Sequence, residues 1–334
     1  MKRSENFCSR KFPEVRLRRL RRTASIRDLF QETRLSVNDL VCPLFVEDGI
    51  REAREIESMP GIFRLPLDKL AQSVEDLSGL GIKAFIIFGI PSKKDESARS
   101  AYSRIGIVQR SIELLRNQFA DKIVLISDVC LCHYTQHGHC GIIEHTHIDN
   151  DKTLQALSRI ALSHAESGVD FVAPSAMMDG QVCTIRNALD ASKFTDVGII
   201  AYSAKISSNL YAPFRHAAKS RPIHGDRKSY QMAYANAEEA MREINLDIGE
   251  GADAIMIKPA IPYLDLIHRA KASTLVPICA FSVSGEYSMI KAGALKGHID
   301  ENEAVTEFIT CIKRAGADII ITYHARKMAE LLLG

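Results

Sequence analysis

The sequence predicts a (β/α)8 barrel, an α/β fold in which eight parallel strands alternate with helices. Apolar runs rich in Val, Ile and Phe alternate eight times with stretches whose apolar residues recur at helical spacing. A similar four-residue motif that begins with glycine precedes four predicted strands, at Gly81, Gly168, Gly251 and Gly316. Glycine lets a helix end in the left-handed conformation, so each motif marks the turn from a helix to the next strand. Its recurrence indicates a repeated unit. The alternative is a doubly wound open sheet, but no glycine-rich phosphate loop follows the first strand.

Each predicted strand is a short apolar run bounded by polar residues, Gly or Pro, which is the pattern of a parallel strand buried on both faces. Residues 83–90, Lys-Ala-Phe-Ile-Ile-Phe-Gly-Ile, show it most clearly. In chain order, the strands are expected at residues 37–46, 83–90, 122–127, 169–173, 197–202, 254–258, 276–283 and 318–323.

The stretches between these strands carry apolar residues three or four positions apart, the spacing of one helix face. Helices are therefore expected at residues 67–80, 101–119, 153–166, 182–191, 237–248, 263–272 and 303–315. The connection at about residues 207–232 is longer than a barrel needs, and long connections after barrel strands are commonly lids. We expect residues 37–334 to form a catalytic barrel with an active-site lid.

Residues 1–36 are predicted to be an N-terminal arm, because their composition differs from that of the remaining chain. Residues 1–27 contain ten Lys or Arg and two Glu, a net charge of +8, so the other residues carry −6 of the total of +2. A segment of this kind is typical of a nucleic-acid-binding tail or a transit peptide. The acidic remainder favours a third interpretation, in which the arm lies on a neighbouring subunit.

The composition argues against several classes of protein. Of the 334 residues, 46% are hydrophobic and 25% are charged, and no apolar run is long enough to span a bilayer. The basic N-terminus lacks the apolar segment of a secretory signal. Eight cysteines in a chain of this size do not make a disulfide scaffold. The sequence predicts a cytoplasmic protein that contacts no membrane.

Lys258 is the first candidate catalytic residue. It ends the apolar run that begins at Ala254 and precedes Pro259, so it is expected at the carboxyl end of the sixth strand, where barrel enzymes place their active sites. A lysine partly buried there has its pKa lowered from about 10.4 toward about 7 to 8, and its neutral amine can attack a ketone. The competing interpretation is a lysine whose side chain extends out of the sheet to a surface carboxylate.

Other polar residues are expected on the same rim of the barrel, at or just after the strand ends. With Lys258 included, they are Asp128, Ser175, Lys205, Lys258, Ser284 and Tyr323. A second ammonium beside Lys258 would lower the pKa of both amines further, because each disfavours the charge of the other. Arg215 and Arg227 in the predicted lid provide bidentate partners for a carboxylate, unless they are ordinary surface arginines.

Three cysteines directly after the third strand, Cys130, Cys132 and Cys140, predict a metal site. Three thiolates suit Zn²⁺ and leave the fourth tetrahedral position open for water or substrate, as in catalytic zinc sites. A closed structural site would need a fourth ligand, and the candidates are His133, His137 and His139. Buried thiols without a metal are the remaining alternative.

Together these motifs resemble the porphobilinogen synthase family, whose members are also called 5-aminolevulinate dehydratases. The resemblance runs from about Arg18 to the C-terminus. It is carried by Asp128-Val-Cys-Leu-Cys132, His137-Gly-His-Cys-Gly141, Ala173-Pro-Ser-Ala-Met-Met-Asp-Gly-Gln181, Tyr202-Ser-Ala-Lys205, Gly225-Asp-Arg-Lys-Ser-Tyr-Gln-Met232, Met256-Ile-Lys-Pro-Ala260 and Val283-Ser-Gly-Glu-Tyr287. It implies the condensation of two molecules of 5-aminolevulinate to porphobilinogen with loss of two waters, a step of tetrapyrrole and heme synthesis.

The resemblance also implies a role for each candidate residue. Lys258 is expected to hold the first substrate, which becomes the propionate side of the product, as a Schiff base. Lys205 is expected to hold the second in the same way. The expected carboxylate ligands are Ser284 and Tyr323 for the first substrate and Arg215 and Arg227 for the second. The three cysteines match a zinc triad that orients the second substrate. Supporting residues are expected to be Asp128, Ser175, Tyr202 and Gln231.

Family members often carry an allosteric Mg²⁺ and form homo-octamers in which the arm embraces a neighbouring subunit. Glu243 matches the magnesium carboxylate, although a single helical carboxylate is otherwise most often solvated. The sequence departs from the family pattern at Met232-Ala-Tyr-Ala-Asn236, where a proline is expected, and at Ala280-Phe-Ser-Val283. These departures affect the course of the lid and local packing and leave every named catalytic group in place.

Two other functions compete with this interpretation. A class I aldolase also uses a Schiff-base lysine on a barrel, but it needs only one lysine and no metal. A nucleic-acid-binding protein would use the basic arm, but the remaining chain is acidic and no predicted helix has a basic face.

Overall fold

The structure of the protein is a computed structural model, and it describes residues 11–334. The chain divides into two units whose boundary falls between Arg34 and Leu35. In the first unit, the 3-10 turn Leu17–Arg21 precedes a short helix, α1 (Ala24–Leu29), and neither element buries a residue. Within residues 11–34, the apolar side chains of these two elements are therefore not buried.

The second unit is a closed barrel of parallel strands with helices around it. Among the described residues, the strands are β1 (Leu40–Glu47), β2 (Arg54–Glu55), β3 (Phe63–Leu65), β4 (Ala84–Ile90), β5 (Val124–Val129), β6 (Ile142–Glu144), β7 (His147–Asp149), β8 (Phe171–Pro174), β9 (Gly198–Lys205), β10 (Ala254–Lys258), β11 (Ile278–Ser282) and β12 (Ile319–Thr322). Neighbours in the barrel follow the order β1, β4, β5, β8, β9, β10, β11 and β12. The last strand pairs with β1 again, which closes the ring.

The remaining strands lie outside the ring. The short strand β3 pairs in parallel with β1 and antiparallel with β2, while β6 and β7 form a separate antiparallel hairpin. The helices that follow α1 are α2 (Leu67–Gly79), α3 (Ile107–Phe119), α4 (Asn150–Glu166), α5 (Gln181–Ala191), α6 (Ala212–Ala217), α7 (Ala237–Gly249), α8 (Leu264–Ser273), α9 (Ser284–Leu295), α10 (Glu301–Ala315) and α11 (Ala325–Leu333).

The predicted barrel is confirmed, and the doubly wound sheet is wrong because β12 pairs with β1. The predicted glycine turns are present as well. Gly81, Gly168, Gly251 and Gly316 have φ angles of 85°, 95°, 104° and 123°. Side chains rarely occupy this region, so glycine is needed where each helix gives way to the next strand.

Some predicted boundaries are wrong. The helix expected from residue 101 begins at Ile107, because the 3-10 turn Arg99–Tyr102 comes first, and Ile105 is 79% exposed and lies outside the core. The strand expected to end at residue 202 continues to Lys205. Ser284 begins α9 and does not end a strand. Smaller shifts move Ser175 and Tyr323 to the positions directly after their strands.

Successive side chains along each barrel strand point alternately into the barrel interior and outward against the surrounding helices. On β10, Ala254 and Met256 belong to the interior cluster, whereas Ile255 and Ile257 pack with the outer one. Side chains two residues apart point the same way along a strand. Lys258 therefore shares the interior face with Met256.

None of the helices within residues 11–334 combines the length and the apolar character that crossing a bilayer requires.

Candidate active site

Lys205 and Lys258 end β9 and β10, and the sheet pairs the two residues directly. The pairing contains a β-bulge, with one extra residue in β9 between Ala201 and Ala204. Tyr202 points into the barrel, so in a regular strand Lys205, three residues later, would point outward. The bulge reverses this orientation, and both lysines line one interior cavity.

Lys258 lies in aromatic surroundings inside the barrel. It is 5% exposed, and its Nζ is 3.8 Å from the ring centre of Phe281 and 5.1 Å from those of Tyr202 and Phe214. Burial, and secondly the charge of Lys205, lower the pKa of Lys258 to about 7. A large fraction of the amine is therefore neutral near pH 7. The alternative of a lysine that extends to the surface is wrong, because the side chain is buried.

The cavity around the two lysines is small. It has a volume of about 20 Å³, which is room for about one water molecule. Its wall also contains Asp128 from β5 and Ser175, whose backbone carbonyl accepts a hydrogen bond from Lys205 Nζ. The full lining is Asp128, Cys132, His133, Ser175, Lys205, Tyr211, Phe214, Arg227 and Lys258. A substrate enters only if part of this wall moves.

The three predicted cysteines form one buried cluster. The sulfur atoms of Cys130, Cys132 and Cys140 all lie within 4.8 Å of one another, and those of Cys130 and Cys132 are 3.4 Å apart. Sulfur ligands at about 2.3 Å from a tetrahedral Zn²⁺ lie about 3.8 Å apart, so the cluster fits this ion. Hydrogen bonds from the two other thiols, and the charges of Arg227 and Lys205, lower the pKa of Cys132 and favour a thiolate there, whereas the same hydrogen bonds and burial raise the pKa of Cys130.

The cluster itself contains no histidine among the described residues. The ring of His139 is engaged elsewhere: its Nδ1 lies 3.0 Å from the hydroxyl of Tyr230, and its Nε2 lies 2.8 Å from the carbonyl oxygen of His224. Burial lowers the pKa of His133 to about 4, and its Nε2 has no hydrogen-bond partner. The geometry thus provides three sulfur ligands and no histidine. Of the two predicted arrangements, this is the one with an open fourth position.

The predicted lid contains two short helical pieces and both candidate arginines. A 3-10 turn (Asn209–Tyr211) runs into α6, which carries Arg215. Arg227 is buried, lines the cavity and donates to the carbonyl oxygens of Gly138 at 2.9 Å and Ser220 at 2.6 Å. Burial and the charge of Arg227 lower the pKa of Arg215. Neither guanidinium has a carboxylate partner among the described residues, so the pair suits an anionic ligand.

Ser284 and Tyr323 lie on the side of the barrel where β11 and β12 end. Ser284 is the first residue of α9, and its hydroxyl donates to the Leu210 carbonyl at 3.2 Å and accepts from the Phe214 N–H at 3.0 Å. The hydroxyl of Tyr323 is buried without a hydrogen-bond partner. A buried hydroxyl that lacks a partner is costly, so a ligand oxygen is a natural acceptor for it.

Gln231 and Glu243 line a separate groove of about 1050 Å³ that contains neither lysine. Gln231 is buried, and neither atom of its side-chain amide has a hydrogen-bond partner. Burial raises the pKa of Glu243, and the negative charges of Asp179 and Glu250 raise it further. Gln231 and Glu243 therefore line this groove and are not part of the lining of the lysine cavity.

Sequence reasoning missed several residues that shape the site. The hydroxyl of Tyr211 donates to the backbone carbonyl of Lys258 at 2.9 Å, and Phe214 covers the amine of Lys258. Lys219, after α6, forms a salt bridge with the buried Glu47 at 2.6 Å and so ties the lid to β1. Tyr211 and Phe214 belong to the lid motif that carries Arg215. Their role in positioning and covering Lys258 follows from their contacts with the end of β10. The sequence motif does not show these contacts.

Comparisons with known proteins agree with this geometry. Residues 14–331 match the family model described as delta-aminolevulinic acid dehydratase. A delta-aminolevulinic acid dehydratase from Archaeoglobus fulgidus is 52% identical over 321 residues, covering 96% of this chain and 99% of the relative. One from Halalkalibacterium halodurans is 49% identical over 317 residues, covering 95% of this chain and 96% of the relative.

A solved structure is similar over nearly the whole chain. It is the crystal structure of delta-aminolevulinic acid dehydratase (porphobilinogen synthase) from Toxoplasma gondii ME49 in complex with the reaction product porphobilinogen. It superposes with a TM-score of 0.93 at 40% identity and covers 95% of this chain and 91% of that one.

Proposed function

The chain belongs to the delta-aminolevulinic acid dehydratase family, and we propose that Lys205 and Lys258 each hold one substrate molecule as a Schiff base. The activity is that of porphobilinogen synthase, a lyase of tetrapyrrole and heme synthesis. Two molecules of 5-aminolevulinate condense to porphobilinogen with loss of two waters. The observation that carries the proposal is the pair of buried lysines, matched in register across β9 and β10 and facing one cavity.

The neutral amine of Lys258 begins the reaction at the first substrate. Its nitrogen bonds to the ketone carbon, and the former ketone oxygen leaves as water. The pKa of about 7 keeps a large fraction of this amine unprotonated near neutral pH. Lys205 holds the second substrate by the same chemistry, and the carboxylate of Asp128 in the shared wall stabilises the iminium charges that form.

The two substrate carboxylates are held by different groups. Ser284 and Tyr323 bind the first through hydroxyl donors, and the unpartnered buried hydroxyl of Tyr323 supports this assignment. Arg215 and Arg227 bind the second through charge. Their lack of a protein carboxylate within the described residues supports this part of the proposal. Because both arginines belong to the lid, binding of the second carboxylate would close it.

We propose zinc as the metal of the cluster formed by Cys130, Cys132 and Cys140. When bound, the ion would supply a Lewis acid that orients the second substrate. The close approach of the three sulfurs supports this metal. These thiols bind metal only in their reduced form, which supports a cytoplasmic location.

The proposal includes an assembly and a regulatory metal. We propose a homo-octamer in which residues 1–36 pack on a neighbouring subunit. Exposed apolar side chains within that segment, such as Phe12 at 75% and Leu29 at 71%, support it. We propose Glu243 as the ligand of an allosteric Mg²⁺, supported by its position beside Asp179 and Glu250.

Borohydride trapping tests the proposed function. The protein is incubated with 5-aminolevulinate and borohydride, peptides are analysed by mass spectrometry, and the pyrrole product is measured by a colour assay. We expect modification of Lys205 and Lys258 and formation of the pyrrole. Lys258→Met should abolish product formation, while Lys69→Met, on the exposed face of α2, should leave it unchanged.

The same experiments separate the competing functions. Modification of neither lysine would overturn the proposal. Modification of one lysine without pyrrole formation, together with aldol cleavage, would identify a class I aldolase. Binding to nucleic acid that weakens steeply with salt and disappears on removal of residues 1–27 would support the third function.

A further inference from the structure

Glu286 is a buried carboxylate that no step of the proposed reaction uses. It is the third residue of α9, and its exposed fraction is 0%. A buried carboxylate without compensating contacts is strongly destabilising. Burial raises the pKa of Glu286 to about 7, while hydrogen bonds from backbone N–H groups, first that of Ile261, oppose the shift. The hydrogen bonds to this carboxylate therefore offset part of the cost of burying it.

Its two oxygens join two separate chain segments. Oε2 accepts from the N–H of Val283, which is the residue before α9. Oε1 accepts at 2.5 Å from the N–H of Ile261, in the segment after β10. The first contact is the carboxylate half of a capping box, in which the third helical residue accepts from the N–H of the residue before the helix; Val283 has no side-chain acceptor for the reciprocal bond. The second contact has no part in the helix, because Ile261 belongs to the other segment.

Each segment carries one end of the proposed first-substrate site. Ile261 lies three residues after Lys258, which forms the Schiff base, and Val283 directly precedes Ser284, which binds the carboxylate. In 5-aminolevulinate, two methylene groups separate the carboxylate from the ketone carbon. The spacing between Lys258 and Ser284 must match this length.

We infer that Glu286 is a positioning residue that sets the spacing between Lys258 and Ser284, and so makes the first-substrate site select keto acids by length. The inference rests on the proposed function of these two residues. Glu286 touches neither the substrate nor the reacting atoms. It acts by holding the segment after β10 against the start of α9.

The substitution Glu286→Gln tests the bridge with little change in volume. Glutamine keeps one acceptor oxygen, but its amide turns N–H donors toward one of the two backbone N–H groups. One contact is lost, and a buried N–H is left without an acceptor. Glu286→Asp keeps both acceptor oxygens on a shorter side chain, so it gives a second, milder perturbation. Asp300→Ala removes an N-cap at α10 and serves as a control for helix destabilisation alone.

Ligands without the amino group isolate the first step, because they form a Schiff base and then stop. The probes are 4-oxopentanoate, which has the substrate spacing, 5-oxohexanoate, which is one methylene longer, and butan-2-one, which lacks the carboxylate. Borohydride trapping on the full-length protein is followed separately at Lys258 and Lys205. The trapping at Lys205 is an internal control, because its proposed carboxylate ligands, Arg215 and Arg227, do not contact Glu286.

We expect wild-type Lys258 to prefer 4-oxopentanoate over both other ketones. Glu286→Gln should reduce this preference about tenfold at Lys258, the effect of one lost hydrogen bond, and leave the preference at Lys205 unchanged. Glu286→Asp should give a smaller loss in the same direction, and Asp300→Ala none. The inference is refuted by an unchanged preference at Lys258 in both Glu286 variants, or by equal losses at the two lysines. Absence of trapping in wild-type protein would instead overturn the proposed function.

Discussion

Replacing Lys258 by methionine should make the protein more stable although it removes the proposed nucleophile. Methionine is close in size and shape, and the site around Lys258 is aromatic and buried. The lysine pKa falls from 10.5 to about 7 on folding. At about 1.4 kcal/mol per unit, this shift corresponds to about 5 kcal/mol of stability lost below pH 7. Removing the amine should recover much of that free energy.

The expected gain depends on pH with a definite sign. Between pH 7 and 10.5 the unfolded chain binds a proton at Lys258 that the folded protein does not, so wild-type stability rises with pH across this window. The free energy lost through this lysine is about 4 kcal/mol at pH 7 and about 1 kcal/mol at pH 10. Loss of a positive neighbour for the buried Asp128 offsets part of the gain. A net stabilisation of about 3 kcal/mol is expected at pH 7, and it should nearly vanish by pH 10.

Urea denaturation at pH 7 and pH 10, at one protomer concentration, measures both quantities. Lys69→Met is the matched control, because it makes the same chemical change on the exposed face of α2. Its effect should stay within about 0.5 kcal/mol at both pH values. If Lys258→Met is destabilising at pH 7 with an unchanged m-value, or its gain is equally large at pH 10, the burial argument for this lysine is wrong.

Three further predictions concern the site itself. Borohydride trapping at Lys258 should accelerate from pH 6 to pH 8 as the amine loses its proton; a flat profile would contradict the lowered pKa. Cys140→Ser should lower zinc content and activity together, whereas the exposed Cys183→Ser should change neither; elemental analysis and the pyrrole assay decide. In Gly285→Ala, the new Cβ would lie 2.6 Å from the Cα and carbonyl oxygen of Leu210. We expect it to displace the lid and raise KM about tenfold, and an unchanged KM would mean the lid position is unimportant.

The order of strands and helices could be predicted from the sequence because each buried strand is a short continuous apolar run and each amphipathic helix has apolar residues at helical spacing. An element that lacks such a pattern could not be predicted. Helix α9 contains small residues and buries Ser284, Gly285 and Glu286 at its start, so it shows no clear apolar face. The sequence therefore predicts Ser284 at the end of a strand and no helix over residues 284–295. Tertiary contacts made by the first turn of α9 determine this structure, and no local pattern encodes them.

Of the candidate site, the residue types and their rim position could be predicted, but side-chain directions could not. Regular alternation from Tyr202 would place Lys205 on the outer face of the barrel. The lysine reaches the interior because β9 contains an extra residue opposite β10. A bulge of this kind depends on pairing between strands that are far apart in sequence. The motif Tyr202-Ser-Ala-Lys205 therefore shows which residue is present, and only the sheet shows which way it points.

In the proposed mechanism, the stability lost at Lys258 and the reactivity gained there are two consequences of one free energy. At pH 7, an amine with a pKa of about 7 is about half neutral, whereas one with the unperturbed value of about 10.4 is neutral in about one molecule in 2,500. This gain of about a thousandfold in neutral amine equals about 4 kcal/mol, close to the free energy by which the buried lysine destabilises the fold. The barrel core, with residues such as Phe281 around the amine, supplies that free energy. The activation of this lysine is thus a property of the whole fold, and surface substitutions that leave the core intact should leave its pKa unchanged.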